Sequence, residues 1–484
     1  MLKKLINHYN KLNERFQFIL FTGFIIFFQI LIFFFLNHSN SFASLDLTGG
    51  DAFSFYYYNY TNIENFLSQY RSFGGPIIVG IFKLFSKNLT YWGQINFIFF
   101  SLCLIILFYS LVQFKIQKNF SFFFVMGILG STKLWWYFTS WSEVLSVSFI
   151  ILTFASYLLS QNQKNNYFYI IFGFLLFFTY QIRPLFVVYV FAFIIFEIYL
   201  IKFKNKKKID FKNSRLILLT AGPLIFFLIV RFLITGHFGI APYMGAHIGA
   251  HSLFFLTKEN IPNISKKNEV FANKIYNRKL NHKSPCNLNF NDIEKDQYSS
   301  CYAKNTMSLI LEMIKHKENK EPFPKNDSRN FNSWEHVKTL DKFFMTIDNH
   351  NEIDNDLKNF SIEIIKPEFV NFVKIFISNF KNAYKIQLGN NNKLTILYFL
   401  IIIMVVTIKI ISFKSYSIEK NQISLKYNDL LLFFLFSNLL AIILLSLIHI
   451  PKMRIMTVQG IFLIPIIFSY IICNLSNCLF KEKI

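Results

Sequence analysis

The sequence lacks the motifs that would assign an energy source or a metal centre directly. It contains neither a Walker-type phosphate loop nor a GxGxxG loop, and the basic segments between its apolar stretches are too short for a nucleotide-binding domain. ATP-driven transport and nucleotide-sugar chemistry inside the cell are therefore disfavoured. There is no HExxH-type zinc motif and no internal repeat, and the apolar stretches are mostly uncharged apart from residues such as Glu197. The missing repeat and the few charges argue against a transporter.

Acidic residues are also scarce, with 27 Asp and Glu against 50 Lys and Arg and a formal net charge of +23. The basic residues lie in short segments between apolar stretches and in one hydrophilic insertion, so their distribution does not favour a nucleic-acid partner. What the chain has in abundance is apolar surface: 53% hydrophobic residues, 64 Phe and a mean hydropathy of +0.38. This composition predicts an all-α polytopic membrane protein. The heavy use of Phe, Ile, Lys and Asn is typical of AT-rich coding and favours a bacterial origin.

Ten apolar stretches predict transmembrane helices. They run over about 16–36, 92–114, 120–137, 143–160, 167–181, 184–201, 216–235, 393–412, 429–449 and 455–475. Basic residues lie in every second connection between these stretches. With ten spans all these basic segments fall on one side of the membrane, whereas one span more or fewer would put the cluster Lys206 to Lys208 on the other side. By the positive-inside rule both termini are cytoplasmic.

This topology places residues 37–91 and 236–391 outside the cytoplasm. The first forms an outer loop within an N-terminal transmembrane module (1–235), and the second forms a small extracytoplasmic domain before a C-terminal transmembrane module (392–484). The domain ends in an apolar-periodic stretch from Phe369 to Phe380, which predicts an amphipathic helix that leads the chain back to the bilayer. Cys286 and Cys301 are fifteen residues apart, and an oxidising compartment would permit a disulfide between them, which the sequence leaves open.

The first outer loop places two carboxylates, Asp46 and Asp51, just beyond the first span. A carboxylate at this position has the chemistry of a general base. Gly49 and Gly50 allow a tight turn close to a ligand, and the tyrosines at 56–58 add interfacial aromatic surface. An equally simple reading is a turn in which the aspartates cap helices and the tyrosines belong to an aromatic belt.

Further polar residues are predicted at the same outer rim of the membrane. They are Lys133, Trp135, Trp136, Trp141, Glu143, Arg183, Arg231, His237, His449, Lys452 and Arg454. Charges near lipid are costly, so cations at a rim face water, a partner or a head group. A ring of these cations around an acidic loop favours recognition of a lipid-linked phosphate. Arg suits this role because its guanidinium binds phosphate through two parallel hydrogen bonds. The alternative is that these cations bind ordinary head groups and the tryptophans anchor helices.

Three histidines, His237, His247 and His251, open the hydrophilic insertion. A spacing of four predicts His247 and His251 on one helical face, which is a metal-ligand geometry if a third ligand exists. A loop that lines the substrate site is the preferred interpretation, and a divalent metal is not favoured.

Four features of the sequence together resemble the GT-C superfamily of integral-membrane glycosyltransferases. They are the acidic loop around Gly50 and Asp51, the outer turn at Trp141 and Glu143, the Arg183-Pro184 turn, and the extracytoplasmic domain late in the sequence. That superfamily includes mannosyltransferase-type and aminoarabinose-transferase-type enzymes. The resemblance implies a sugar donor carried on a polyprenyl phosphate and an Asp of the first outer loop as the catalytic base. Asp51 matches best and Asp46 second, although the two are five residues apart, unlike the family's commoner acidic pairs.

The resemblance therefore implies transfer of a sugar from a polyprenyl-phosphate donor to a lipid or glycan acceptor on the extracytoplasmic face of a bacterial inner membrane. The base is Asp51 or Asp46, and no cofactor is expected. The residues predicted to bind substrate are Tyr57, Trp141, Glu143, Arg183, His237, His247, Lys452 and Arg454. A polysaccharide polymerase or ligase, and a transporter of lipid-linked sugars, remain as alternatives.

Overall fold

All regular elements in the described part of the chain are helices. The computed structural model describes residues 14–38, 42, 54–69, 71–85, 89, 91–130, 142–163, 166–201, 211–242, 244–281, 286, 295–318, 350–387, 422–448 and 460–480. The predicted all-α class is confirmed over these residues, which contain no strand.

The helices of the first half are α1 (Glu14–His38), α2 (Ile63–Ser68), α3 (Gly74–Lys83), α4 (Trp92–Gln113), α5 (Lys118–Leu129), α6 (Ser142–Gln163), α7 (Asn166–Ile182), α8 (Val188–Tyr199) and α9 (Phe211–Thr235), with a 3₁₀ turn at Pro184–Val187. Those of the second half are α10 (Met244–Ser252), α11 (Lys266–Asn281), α12 (Lys295–Glu318), α13 (His350–Ile365), α14 (Phe369–Gln387), α15 (Gln422–Ile448) and α16 (Leu463–Phe480), with a 3₁₀ turn at Ile261–Asn263.

Within the described ranges, five helical segments are long and apolar enough to cross a membrane: Arg15–His38, Trp92–Gln113, Val144–Gln161, Arg215–Thr235 and Asp429–Ile448. These segments support a membrane-embedded protein. Four other predicted spans correspond to shorter apolar helices, namely α5, α7, Pro184–Tyr199 and Leu463–Ile472. The predicted span at 393–412 lies outside the described residues.

Helix α3 is a short apolar helix within the segment predicted as an outer loop. The prediction overlooked it because its ten residues are too few for a membrane span. It packs against the end of α7, where a Cβ on Gly74 would lie 2.6 Å from the backbone carbon of Gln181. A glycine is needed for this approach, which fixes α3 at one end of the bundle.

One large apolar core joins the long helices. It includes Phe108 of α4, Phe124 of α5, Phe154 of α6 and Phe433 of α15, all buried. Glycines let helices approach closely: a Cβ on Gly127 would lie 2.8 Å from Pro465, so α5 and α16 touch nearly backbone to backbone.

A second apolar core holds α10 to α13 and the start of α14 together, and we call this part the hydrophilic domain. Phe271, Leu309 and Phe360 lie at its centre with at most 1% exposure. Cys286 and Cys301 form a disulfide, a pairing that the sequence left open. We call the end of the bundle that meets this domain the domain-side end.

Helix α14 passes from the hydrophilic domain into the bundle. Asn379 Nδ2 donates to the carbonyl of Ser446 at 3.5 Å, and Gln387 Nε2 donates to Asn438 Oδ1 at 2.8 Å. The order of these pairs makes α14 and α15 antiparallel. The last turns of α14, including Tyr384, belong to the core of the spans.

We expect Gly74→Ala to lower the free energy of unfolding by about 1–3 kcal/mol, because the new Cβ meets backbone atoms of α7 that cannot rotate away. Thermal unfolding of the purified protein in detergent measures the effect. Gly23→Ala in α1 is the matched control, since a Cβ there meets no atom within 4 Å. Equal melting temperatures for the two variants would contradict the packing of α3 on α7.

Candidate functional site

The described residues include some of the predicted site residues and not others. Asp46, Asp51, Trp141, Lys452 and Arg454 lie outside them. Glu143 lies in the first turn of α6, and its side chain is also outside the described part.

The segments that carry several of these residues nevertheless meet. Phe55, Leu145 and Ile182 belong to one small apolar cluster at the domain-side end, together with Trp92 and residues of α3. Phe55 follows Asp51 by four positions, Leu145 follows Glu143 by two, and Ile182 directly precedes Arg183. The structure thus gathers three distant stretches of the sequence that were each predicted to contribute to the site.

Tyr57 and Arg183 border this cluster. Tyr57 is 53% exposed, and its ring meets the Tyr56 ring edge-on at 4.9 Å. Lys83, which the sequence did not single out, lies 3.6 Å from the centre of the Tyr56 ring and donates to the Tyr56 carbonyl at 2.9 Å. Arg183 has extended backbone because Pro184 follows it, so the chain turns sharply at the end of α7.

Arg231 is the most deeply buried cation at the domain-side end among the described residues. Its side chain is on the last turns of α9 and is 1% exposed. Nη1 donates to the carbonyl of Gly239 at 2.7 Å and Nη2 to Asn351 Oδ1 at 3.4 Å, whereas Nε has no hydrogen-bond partner. No carboxylate among the described residues lies within ion-pair distance of it, although the charge of Asp354 acts on it from further away.

The turn after α9 explains how Arg231 becomes covered. Gly236 has a φ of +69°, a left-handed conformation that suits glycine just past a helix end. The chain therefore folds back and brings the Gly239 carbonyl onto the guanidinium.

His237 lies beside Arg231 in this turn and is 5% exposed. Neither ring nitrogen makes a hydrogen bond of good geometry, although the Ala241 backbone and the Asn355 side chain face the imidazole. Burial, with the positive charge of Arg231, lowers the pKa of His237 to about 4. The imidazole is therefore neutral at physiological pH.

The hydrophilic domain closes the site through α13. Asp354 Oδ1 accepts from the backbone N–H of Gly245 at 2.7 Å at the start of α10, and burial raises the pKa of this carboxyl to about 6. A Cβ on Gly245 would lie 2.1 Å from the Asp354 carbonyl, so α13 and α10 touch closely. This contact sets Asn351, one turn earlier, against Arg231.

Tyr58 connects the Arg231 region to the apolar cluster. It is 6% exposed, its hydroxyl donates to the Phe66 carbonyl at 2.6 Å, and the charge of Arg231 acts on its phenol. Burial raises the pKa of Tyr58, so the phenol stays protonated. Phe55 and Tyr58 are three residues apart, which limits the separation of their Cα atoms to about 11 Å. The two groups of residues are therefore neighbours, and we treat them as one candidate site.

His247 and His251 share a face of α10, as predicted, but a tyrosine occupies that face. His247 Nδ1 lies 2.7 Å from the hydroxyl of Tyr302, and the His251 ring centre lies 4.9 Å from the Tyr302 ring. The same hydroxyl lies 3.3 Å from the carbonyl of Ile448 at the end of α15. No group of three or more His, Cys, Asp or Glu with metal-binding geometry occurs within the described part of the chain.

Sequence reasoning missed the partners of Arg231. An arginine near the end of an apolar stretch was a visible signal, but Asn351 and Asp354 lie more than a hundred residues further along the chain. Their role depends on how α13 packs.

No protein-family model, curated protein or solved structure matches the chain.

We expect acid to destabilise the protein through His237. The unfolded imidazole takes up a proton below its ordinary pKa of 6.5 and the folded one only below about 4, so stability falls as the pH drops between these values. His237→Gln, which cannot take up that proton, should retain about 2–3 kcal/mol more of its neutral-pH stability near about pH 4. Unfolding in detergent at neutral and acidic pH measures this difference. The exposed His38, changed to Gln, is the control, and identical pH profiles for both variants would contradict a buried neutral His237.

Proposed function

We propose that this chain is a membrane glycosyltransferase that takes a sugar from a polyprenyl-phosphate donor. The observation that carries the proposal is the buried guanidinium of Arg231, which forms no carboxylate ion pair among the described residues. It lies where the first predicted outer loop, the end of a candidate span and the hydrophilic domain meet.

A buried cation with only neutral hydrogen-bond partners is costly, and an anionic ligand offsets that cost. A phosphate suits a guanidinium because its oxygens match the planar arrangement of N–H donors. The neutral His237 adds a hydrogen-bond donor beside this anion without adding a further charge. Because Arg231 is 1% exposed, a ligand reaches it only when the segment around Tyr58 or helix α13 moves.

The chemistry follows from the position of the phosphate. Asp51 accepts the proton of an acceptor hydroxyl, whose oxygen attacks the anomeric carbon of the donor. A new glycosidic C–O bond forms while the bond from that carbon to the phosphate oxygen breaks, and polyprenyl phosphate leaves with the electron pair. Arg231 and Arg183, with Lys452 or Arg454, stabilise the negative charge that develops on the phosphate. The reaction as written uses no cofactor.

The aromatic side chains take the remaining parts of the substrate. Tyr57 and Trp141 stack on the sugar or prenyl group, while Glu143, His237 and His247 contact other parts of the substrate. The acceptor is a lipid or glycan.

The proposed topology has ten spans with both termini in the cytoplasm of a bacterial cell. The five apolar helices found in the described part of the chain support the membrane assignment, and the basic flanks support the orientation. With this topology the site opens on the extracytoplasmic face of the inner membrane. The polyprenyl phosphate reaches that face already carrying its sugar, which was attached on the cytoplasmic side.

We expect Arg231→Met to reduce sugar transfer about a hundredfold, because the charge that stabilises the departing phosphate is lost. The helices should still form, because the substitution removes a costly buried charge, while the Gly239 carbonyl and Asn351 lose a donor and the junction with the hydrophilic domain loosens. Transfer of labelled sugar from a polyprenyl-phosphate donor pool, and thermal unfolding, give the two readouts. Arg215→Gln is the matched control: Arg215 lies on the same helix, at its other end, over the Tyr169 ring. Wild-type transfer rates in Arg231→Met would refute the role of Arg231.

We expect Asp51→Asn to abolish transfer while Asp46→Asn retains it, at matched expression, because only one carboxylate accepts the proton. Membranes carrying each variant are assayed with the same donor pool. Unchanged activity in both variants would contradict this mechanism. It would favour a polymerase or ligase, whose activity depends more on basic residues of the outer loops than on Asp51.

A further inference from the structure

The side chain of Gln181, in the last turn of α7, is buried without hydrogen bonds to the described residues. It is 0% exposed, and neither Oε1 nor Nε2 has a partner among them. The hydroxyl of the adjacent Tyr180, which is 1% exposed, also lacks one within the described part of the chain. A buried amide without partners is costly, so its presence calls for an explanation such as a ligand. Gln181 is therefore a candidate binding residue.

Helix α7 packs against α9, and the two helices run in the same direction. A Cβ on Gly173 would lie 3.0 Å from the carbonyl oxygen of Leu219. Further along both helices, the centres of the Phe177 and Phe227 rings are 5.9 Å apart. Because both contacts advance along the two chains together, α7 and α9 are parallel and end at the domain-side end.

This packing places Gln181 level with Arg231. Gln181 follows Phe177 by four residues, and Arg231 follows Phe227 by four. Residues four apart lie on the same face of a helix. Since the two phenylalanine rings contact each other, Gln181 and Arg231 lie one turn beyond them, on the facing sides of α7 and α9.

Aromatic rings lie on the bundle side of this position. The centre of the Phe73 ring is 6.0 Å from that of Phe177 and 5.8 Å from that of Phe227. The next residue, Gly74, packs on the backbone of Gln181. The three rings offer apolar contact only, so the hydrogen bonds of Gln181 come from a ligand that lies at the level of Arg231.

We propose that Gln181 binds the sugar of the polyprenyl-phosphate donor while Arg231 binds its phosphate. This inference rests on the proposed function and adds a residue that recognises the sugar. Oε1 needs a hydrogen-bond donor, which neither a prenyl chain nor an ionised phosphate provides. A sugar hydroxyl is both donor and acceptor, so one hydroxyl donates to Oε1 and another accepts from Nε2. The phosphate is bonded to the anomeric carbon, so the nearest hydroxyl is only a few bonds from the group that Arg231 holds.

Gln181→Met tests this inference, because Met is similar in size but cannot make these hydrogen bonds. Dissociation constants are measured in detergent for polyprenyl phosphate carrying mannose, glucose or arabinose. Polyprenyl methyl phosphate, which has the same phosphodiester charge and no sugar, is the reference lipid. We expect the wild-type protein to bind at least one sugar-bearing lipid about tenfold more tightly than the reference lipid. Gln181→Met should lose this preference and keep the affinity for the reference lipid.

Gln29→Met on α1 is the matched control. Gln29 is 5% exposed, but its Nε2 donates to the carbonyl of Ser101 at 3.0 Å. We expect Gln29→Met to lower the melting temperature and keep the sugar preference, because a hydrogen bond of the folded protein is lost. Gln181→Met should not lower the melting temperature, because its amide makes no such bond to the described residues.

The outcomes separate this inference from the proposed function. A Gln181→Met variant that retains the wild-type sugar preference, or that loses affinity for all the lipids equally, would overturn the role of Gln181. A wild-type protein that binds the reference lipid and prefers none of the three sugars would also overturn it, while the phosphate site at Arg231 would stand. A wild-type protein that binds none of these lipids would overturn the proposed function, and this inference with it.

Discussion

The hydrogen bonds of the Arg231 guanidinium hold the bundle and the hydrophilic domain in register at the candidate site. The guanidinium donates one to the Gly239 carbonyl in the turn after α9 and the other to the Asn351 side chain on α13. A buried guanidinium needs acceptors in fixed directions, so the turn and the domain are both constrained by it. A ligand that takes over part of this bonding would change the relation between bundle and domain.

The same junction relies on other buried polar contacts rather than on apolar packing alone. The amide pair of Gln387 and Asn438 lies between α14 and α15, and the hydroxyl of Tyr302 approaches the carbonyl of Ile448. Apolar contacts between membrane helices tolerate sliding, because lipid and Leu side chains are equally apolar. Directional hydrogen bonds fix the register, which suits a protein whose proposed site is assembled from separate segments.

The sequence predicted the membrane class and most of the helices. Arg183 and His237 were singled out because charges and histidines are rare near apolar stretches, and the structure places both at the domain-side end. The sequence did not predict α3, since a ten-residue apolar helix gives the same signal as an apolar loop. It also gave no sign that Tyr302 fills the face shared by His247 and His251.

What the sequence alone determined is local: where the chain is apolar for long enough to cross a bilayer, and where helices end. Those properties follow from hydropathy and from residues such as Gly236, whose backbone conformation turns the chain after α9. Only the tertiary structure decided that Asn351 would meet Arg231 and that Phe55, Leu145 and Ile182 would share one cluster. Contacts between segments so far apart depend on which helix faces pack together, and apolar helix faces resemble one another too closely for the sequence to specify the pairing.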